Sequence, residues 1–377
     1  MDLTSLAAAL LIAIGLIGAD TIVHSGSIVV EVTAAPSIPG EMIDQATLEA
    51  EFDDQLNEIA RVESVVSPPE IRTSRDQGLG MALAQAVKAE DVAYALQTAV
   101  GYAPDRLRLA LFLQHGELRG RVSGVTRHIG TINQVLVPNK DEPVLAFVRR
   151  CALWSASEVA PYSTALFLMQ KHASDKDFSD VMALIEHAKA ELPPTPVSFD
   201  RSSFDNLTGI VLLFKNQAAA AQQAFDLAVA EYPDNPVAVI NAAFADLQLD
   251  KNQQAADRML HRTRDQPPKN KVLLASAYMT WAAAEMGLHN LAEADRLLGV
   301  STQINPDSSS AFGLWAELKD LQGDHASAER YTHQAMLNTT TLENYGEVAT
   351  LYFHLSWRDN EAVTLSKFNN PSVVTFH

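Results

Sequence analysis

Two rhythms of apolar and polar residues run along this chain, and one gives way to the other near residue 140. It opens with neither: Leu6–Ala19 reads LAAALLIAIGLIGA, without a charged side chain, and from Thr4 to Val23 only Asp20 carries one. Ser27–Thr33 is β-branched and ends at the turn-prone Ala35–Gly40, which predicts a strand. Thr47–Glu63 places Leu48, Phe52, Leu56, Ile59 and Val62 on one helical face, with Thr47 as the expected N-cap. Ser67-Pro68-Pro69 breaks the chain, Glu70–Arg72 suits a short strand, and Leu79–Val100 returns to helical spacing. Asp105–Gln114 then alternates Arg106 and Arg108 with Leu107 and Leu109, and His115-Gly116-Glu117 turns it into Leu118–Thr126. Ile129–Val137 is the expected third strand of that meander. The order implies a small α+β domain over residues 27–140 with helices on one face.

Beyond residue 140 the pattern is helical throughout, and it repeats. Glu142–Val159 is an amphipathic helix suited to joining the two regions. Ala221, Phe225, Ala228 and Pro233 recur as Ala255, Met259, Arg262 and Pro267, a shift of 34. Ala294, Leu298, Ser301 and Pro306 follow after 39, and Ala328, Thr332 and Ala335 after 34 again. The longer step implies five inserted residues, expected around Gln266–Lys271 or in the Gly287–Leu291 turn. Val181, Ile185, Ala188 and Pro193 look like a degenerate unit, paired with a helix over Ala160–Ala173. Leu192–Val197 is a stiff proline-rich connector, and Leu342–Trp357 is the expected cap of the stack.

A small residue, a large apolar one, a second small one and a terminal proline, spaced in this way, resemble the tetratricopeptide repeat over roughly residues 202–340. Small side chains let paired helices approach, the large one fills the gap between units, and proline stops the second helix. Gly323-Asp324 is the expected turn of the last full unit, and Trp281-Ala282 and Trp315-Ala316 match in the first helices. Arg262 and Ser301 depart from the second small position, and the leading Trp-Leu-Gly positions are mostly lost. The resemblance implies a helical solenoid whose concave face is lined by first-helix residues. Carried over by register, those are Asn206, Ile210 and Leu213, then Val237, Ile240, Phe244 and Leu247, then Met279, Ala283 and Met286. They are mostly apolar, unlike the Lys, Arg and Asn of carboxylate-clamp grooves. Either an apolar helix or strand of a partner occupies the groove, or the chain fills it with its own mixed domain, helix 142–159 or C-terminal tail.

Charge and candidate chemistry narrow the function. Twenty-eight basic against 46 acidic residues give a net charge of −18, which argues against a general nucleic-acid binder and against polybasic docking on anionic lipid. The acidic stretch Glu41–Glu63 reads as a solvated face. Cys151 stands alone, so it forms no disulfide within the chain, and its setting reads as a small buried side chain. Eleven histidines include His325 and His333 eight apart, with His261 and His289 isolated, and no H-x-x-x-H occurs, so no metal site is expected. Asp53-Asp54 and Glu90-Asp91 carry no hydrolase signal alone. Gly78-Leu79-Gly80 lacks a third glycine for a phosphate cradle, and no nucleophile-elbow or Walker pattern appears. No cofactor is expected. The sequons at Asn206 and Asn338 are chance-level matches.

Twenty helical residues rise about 30 Å, the thickness of a bilayer core, so residues 4–23 are expected to anchor the chain in lipid. A cleavable signal peptide is the competing reading, although Met1–Ser5 has no basic residue and Ile17-Gly18-Ala19 is a poor cleavage site. The first basic residue is Arg61, so the favoured orientation, bulk of the chain outside a bacterial inner membrane, does not come from charge bias. The expected domains are therefore an anchor (1–26), an α+β domain (27–140), a helical connector (141–200), the solenoid (201–357) and a tail (358–377). The expected function is a non-catalytic scaffold or accessory subunit binding protein partners of an envelope complex. The alternatives are an exported adaptor freed by signal cleavage, and an enzyme with its site in 27–140.

Overall fold

A computed structural model of the chain describes residues 28–34, 43–62, 105–126, 130–172, 176–192, 194 and 198–338. The expected anchor (4–23), the strand at 70–72, the helix at 79–100, the cap at 342–357 and the tail lie outside the described residues. Among the described residues, no helix is long and apolar enough to cross a membrane. They divide into two compact units, one running to Phe167 and the other from Leu168.

The first unit is built on a four-stranded sheet in the order β1 (Ile28–Ala34), β2 (Asp105–Gln114), β3 (Glu117–Thr126), β4 (Gly130–Leu136). β1 lies parallel to β2, and the other pairings are antiparallel. Both turn residues of the β2–β3 hairpin are left-handed, His115 at φ 54° and Gly116 at φ 81°, the geometry that matches the twist of paired strands. Period-two alternation sends Val32, Leu107, Leu109, Leu111, Val122 and Ile132 into the core, while Glu31, Arg108 and Arg121 stay exposed. Arg108 grips Glu31 across the exposed face at 2.7 Å.

Helix α1 (Gln45–Ala60) closes that core with Leu48, Phe52, Leu56 and Ile59. Its N-cap is Asp44, whose carboxylate accepts from the Thr47 amide at 2.7 Å, so the helix starts a turn earlier than the Thr47 cap expected from sequence. Asp53 is buried, unlike the solvated acids around it. Helix α2 (Val144–Val159) joins the same core through Phe147, Val148, Cys151, Ala152, Ala156 and Val159. It crosses β3 so closely that a Cβ on Gly120 would meet the Phe147 ring at 3.0 Å and Cys151 Sγ at 3.1 Å. The compact unit thus extends past residue 140, because the sheet needs α2 to cover it. Glu142 fixes the start of α2 by a two-pronged pair with Arg150 at 2.7 and 2.9 Å.

After α3 (Pro161–Lys171), the second unit holds α4 (Ser179–Glu191) and four helical hairpins. Their first helices are α5 (Phe199–Phe214), α7 (Pro236–Gln248), α9 (Lys271–Gly287) and α11 (Ser309–Leu321). Their second helices are α6 (Ala218–Glu231), α8 (Asn252–Asp265), α10 (Leu291–Ile304) and α12 (His325–Asn338), each 14 residues long. The starts of the second helices reproduce the 34, 39, 34 spacing read from the sequence. The irregular step is resolved by α9, which has 17 residues against 13 in α7 and α11. Its added turn, Lys271–Leu274, precedes Ala275, which aligns with the starts of α7 and α11. Only one further residue enters the preceding connection, and the Gly287–Leu291 turn keeps the length of its counterparts.

Each hairpin turns in the same way. Asn216, Asp250, His289 and Gly323 occupy equivalent left-handed positions, with φ between 56° and 76°. The amides of the next residues, Gln217, Lys251, Asn290 and Asp324, donate back to Leu212, Asp246, Glu285 and Lys319. That bond is the mark of a Schellman ending, repeated four times. Glycine meets the φ requirement without strain only at Gly323.

Candidate protein-binding surface

The two layers of hairpins bury their side chains differently. Second helices follow the expected rule: α6 buries Ala221, Phe225 and Ala228, and α8 buries Ala255, Ala256, Met259, Arg262 and Thr263. The alanines admit close contact and the large residue enters the facing helix. A Cβ on Gly209 of α5 would stand 2.4 Å from the Phe225 ring, so that glycine is a socket for the phenylalanine.

The departures have local explanations. Ser301, in place of a small apolar residue, donates its hydroxyl to the Ala275 carbonyl at 2.8 Å. Ser202 makes the mirror-image bond to the Ala228 carbonyl at 2.7 Å, so one serine bridges the two layers from either side. Arg262 is buried with Nη1 on Gln266 at 3.1 Å, and burial lowers its guanidinium pKa.

First helices are covered much more completely. In α7 the seven consecutive residues Ile240–Asp246 are each at most 2% exposed. α7 touches α6 and α8 in the second-helix layer, and α5 and α9 on its flanks. Asp246 marks its second-helix side, where it pairs with Arg258 of α8 at 2.8 Å and accepts from Gln222 of α6. Val237, Ile240 and Ala243 belong to one buried cluster with Ala255, Ala256 and Met259 of α8 and Leu273 and Ala277 of α9.

The groove positions expected from sequence are therefore placed as follows. Asn206, Ile210, Leu213, Val237, Ile240, Phe244 and Met279 are buried. Leu247, Ala283 and Met286 are half-buried. Asn241, which the sequence reading did not single out, donates its amide to Asn206 Oδ1 at 2.8 Å and links α7 to α5. Two asparagines 35 residues apart were the available signal, one residue off the repeat and therefore outside a strict register search.

Buried carboxylates bind the layers together. Lys189 of α4 holds Asp205 of α5 at 2.5 Å, and Arg258 also reaches Asp226 at 2.7 Å. Burial pushes the Asp205 and Asp246 pKa values up, opposed by Lys189 and Arg258 respectively. At the last hairpin, Trp315 stacks on Tyr331 at 4.2 Å and donates to Asp295 at 2.7 Å, while Lys319 meets Asp295 at 2.6 Å.

The candidate chemical groups are placed apart from one another. Cys151 is buried in the first unit, and desolvation pushes its thiol up to about 12. His261, His325 and His333 are exposed beside Asp265, Asp320 and Glu329 on their own or adjoining helical turns. No group of three metal-ligating side chains occurs among the described residues.

No protein-family model matches the chain, and no curated protein does. Solved structures that resemble it include residues 41 to the end of MamA from Desulfovibrio magneticus RS-1, at 13% identity and a TM-score of 0.35. That match covers 48% of this chain and 97% of the other. PilF of Pseudomonas aeruginosa matches at 13% identity and 0.39, covering 56% of this chain and 94% of the other. Aspartyl phosphate phosphatase F of Bacillus subtilis matches at 11% and 0.38, covering 87% and 84%. Scores at this level carry nothing beyond themselves, so the weight falls on geometry internal to the chain. Four hairpins in one register, the glycine socket and the repeated Schellman turns make the second unit a tetratricopeptide-type array.

Proposed function

We propose that this chain is a non-catalytic scaffold or accessory subunit that holds protein partners on its helical array. The observation that carries the reading is the unbroken register of four hairpins, which sets four first helices side by side. At an interaxial spacing of about 10 Å they form a face some 30–40 Å long, enough for a helix of about 20 residues or an extended segment of about ten. Of the expected groove positions, Leu247, Ala283 and Met286 are half-buried, and these keep apolar surface suited to an amphipathic partner.

We further propose that residues 4–23 anchor the chain in a bacterial inner membrane, with the bulk outside the cytoplasm and the partners drawn from an envelope complex. Twenty residues with one charge support that reading. The test is affinity capture of the full-length chain in mild detergent, repeated without residues 1–23 and with Leu247→Asp plus Met286→Asp. The expected result is a reproducible partner that survives with an unaltered melt in the parent and is lost from the groove variant. Capture indifferent to the groove variant would remove the array from the interaction. An exported adaptor would differ in its mature N-terminus, read by mass spectrometry of the native protein. An enzyme sited in 27–140 would show turnover that survives the groove substitutions.

A further inference from the structure

The sheet of the first unit ends on a strand that lacks the usual guards of an edge. β4 pairs with β3 along one side, and among the described residues no strand pairs with the other. Edge strands are ordinarily blunted by charge, proline or a bulge, because their open amides and carbonyls template further pairing. β4 reads GTINQVL, without a charge or a proline, and its register with β3 runs unbroken from Gly130 to Leu136. Its side chains are open on both faces. Thr131, Asn133 and Val135 are exposed on the face away from the helices, and Val137 follows at 51%. Gln134 alternates with them and so shares the helix-covered face with buried Ile132, yet it too is exposed. Neither α1 nor α2 therefore overhangs this edge.

The charge beside the edge selects one kind of occupant. Described side chains on the open face of the sheet include Arg108, Arg119 and Arg121 against Glu31 and Glu117, a positive balance on a chain of net charge −18. Arg108 holds Glu31 at 2.7 Å, and Arg119 holds Glu117 at 2.7 Å. Arg121 is exposed and meets no carboxylate among the described residues; its guanidinium rests over the Phe112 ring, 5.4 Å from the centroid. It is also the direct cross-strand partner of Val135. A rotamer change carries its guanidinium across β4, toward a strand laid about 4.8 Å beyond. A second copy of this chain fits less well. Pairing through β4 would present each Arg121 with an uncharged strand and would join two chains of charge −18.

We propose that the outer edge of β4 takes an extended acidic segment of a partner protein as a fifth strand, its backbone bonded to β4 and a carboxylate placed on Arg121. The seven residues of β4 span about 23 Å, so a segment of similar length with acids on alternate positions fits. This surface belongs to the first unit and does not depend on the partner-binding reading of the array. The test uses the full chain in mild detergent, with the fluorescent peptide Glu-Val-Glu-Val-Glu-Val-Glu-Val as probe and anisotropy as readout. Saturable binding is expected below about 1 mM peptide, weakened about threefold by Arg121→Gln and further by Arg121→Glu. Arg121 is exposed, so circular dichroism should not change in either variant. The matching Lys-Val peptide should bind more weakly. The Glu-Val peptide with every backbone amide N-methylated should not bind, because it cannot donate to β4. Absence of saturable binding, indifference to Arg121 or to N-methylation, or preference for the Lys-Val peptide would overturn the proposal. So would a dimer of the free chain in sedimentation velocity that Asn133→Glu with Val135→Glu dissociates, since that result assigns the edge to a second copy.

Discussion

First and second helices of the array have the same secondary structure and near-equal lengths, yet they solve different packing problems. A second helix such as α6 buries Ala221, Phe225 and Ala228 along one stripe and leaves Asp226 and Leu227 exposed. A first helix such as α7 buries every residue from Ile240 to Asp246. The outer layer therefore needs one strict pattern of small and large residues, while the inner layer needs only to be apolar, with any polar group paired. The difference teaches that the outer layer sets the repeat and the inner layer carries whatever is particular to this protein.

The largest effects should come from the outer layer's single large residue. Phe225→Ala is expected to cost about 3–5 kcal/mol, the range for emptying a fully buried aromatic site. Leu227→Ala, two residues on and 48% exposed, should stay within about 0.5 kcal/mol. Urea unfolding of the pair checks the contrast; near-equal losses would mean the outer helices lack the one-sided burial described here. Gly209→Ala approaches the same contact from the inner layer and should cost about 1–3 kcal/mol by overpacking. Combining it with Phe225→Leu should recover part of that loss, because the shorter side chain vacates the socket. A strictly additive double variant would break the link between the two layers at this point.

The same asymmetry explains what could be read from the residues alone. Ala221, Phe225, Ala228 and their counterparts at shifts of 34 and 39 are legible because one position admits little besides a small side chain. The five-residue irregularity was legible as a number and as two candidate places, of which Gln266–Lys271 adjoins the added turn. Its four helical residues, Lys271–Leu274, simply add a turn to α9, and a longer apolar helix leaves no local signature. In the sheet unit, the alternation of Arg106–Leu109 and the two-residue turn at His115-Gly116 revealed the meander directly. That α2 belongs to this unit was hidden, because an amphipathic helix does not declare which surface it will cover. The register placed Ile210, Ile240 and Phe244 on first helices, and the burial of each depends on residues distant in sequence.

An intermediate effect isolates the polar requirement of the inner layer. Asn241→Leu should cost about 1–3 kcal/mol by removing the amide donor that Asn206 Oδ1 accepts from. Asn206→Leu with Asn241→Leu should cost less than the two single changes together. A thermodynamic cycle with zero coupling would mean that the pair is not a unit.

Acid pH should separate the layers by sign. Asp205 and Asp246 of the inner helices have folded pKa values raised by burial, so their contribution to stability grows as pH falls toward the unfolded aspartate value and is lost as pH rises through the folded one. Glu293 on α10 has its pKa lowered by its bond to Arg296, so its contribution is full above the ordinary glutamate value and is lost as pH falls through the folded one. Relative to the parent, Asp246→Asn should therefore compare less favourably at pH 4.5 than at pH 7, and Glu293→Gln more favourably. Denaturant midpoints at the two pH values decide it; the same sign for both would mean that Asp246 is not desolvated as its burial requires.

The smallest expected change lies where the two layers join. His289 takes the left-handed turn position at φ 62° that Gly323 fills in the last hairpin. A side chain there costs about 1–2 kcal/mol, and glycine's extra freedom in the unfolded chain returns about 0.4–1 kcal/mol of that. His289→Gly should therefore stabilise the array by roughly 0.5 kcal/mol, and Gly323→Ala should destabilise it by about the same or slightly more. Because the turn bonds Asn290 to Glu285 and Asp324 to Lys319 involve only backbone groups, neither substitution removes a hydrogen bond of the turn. Opposite signs in matched melts would show that backbone conformation limits these corners. Equal destabilisation by both would instead assign the His289 side chain a contact worth more than the strain it brings.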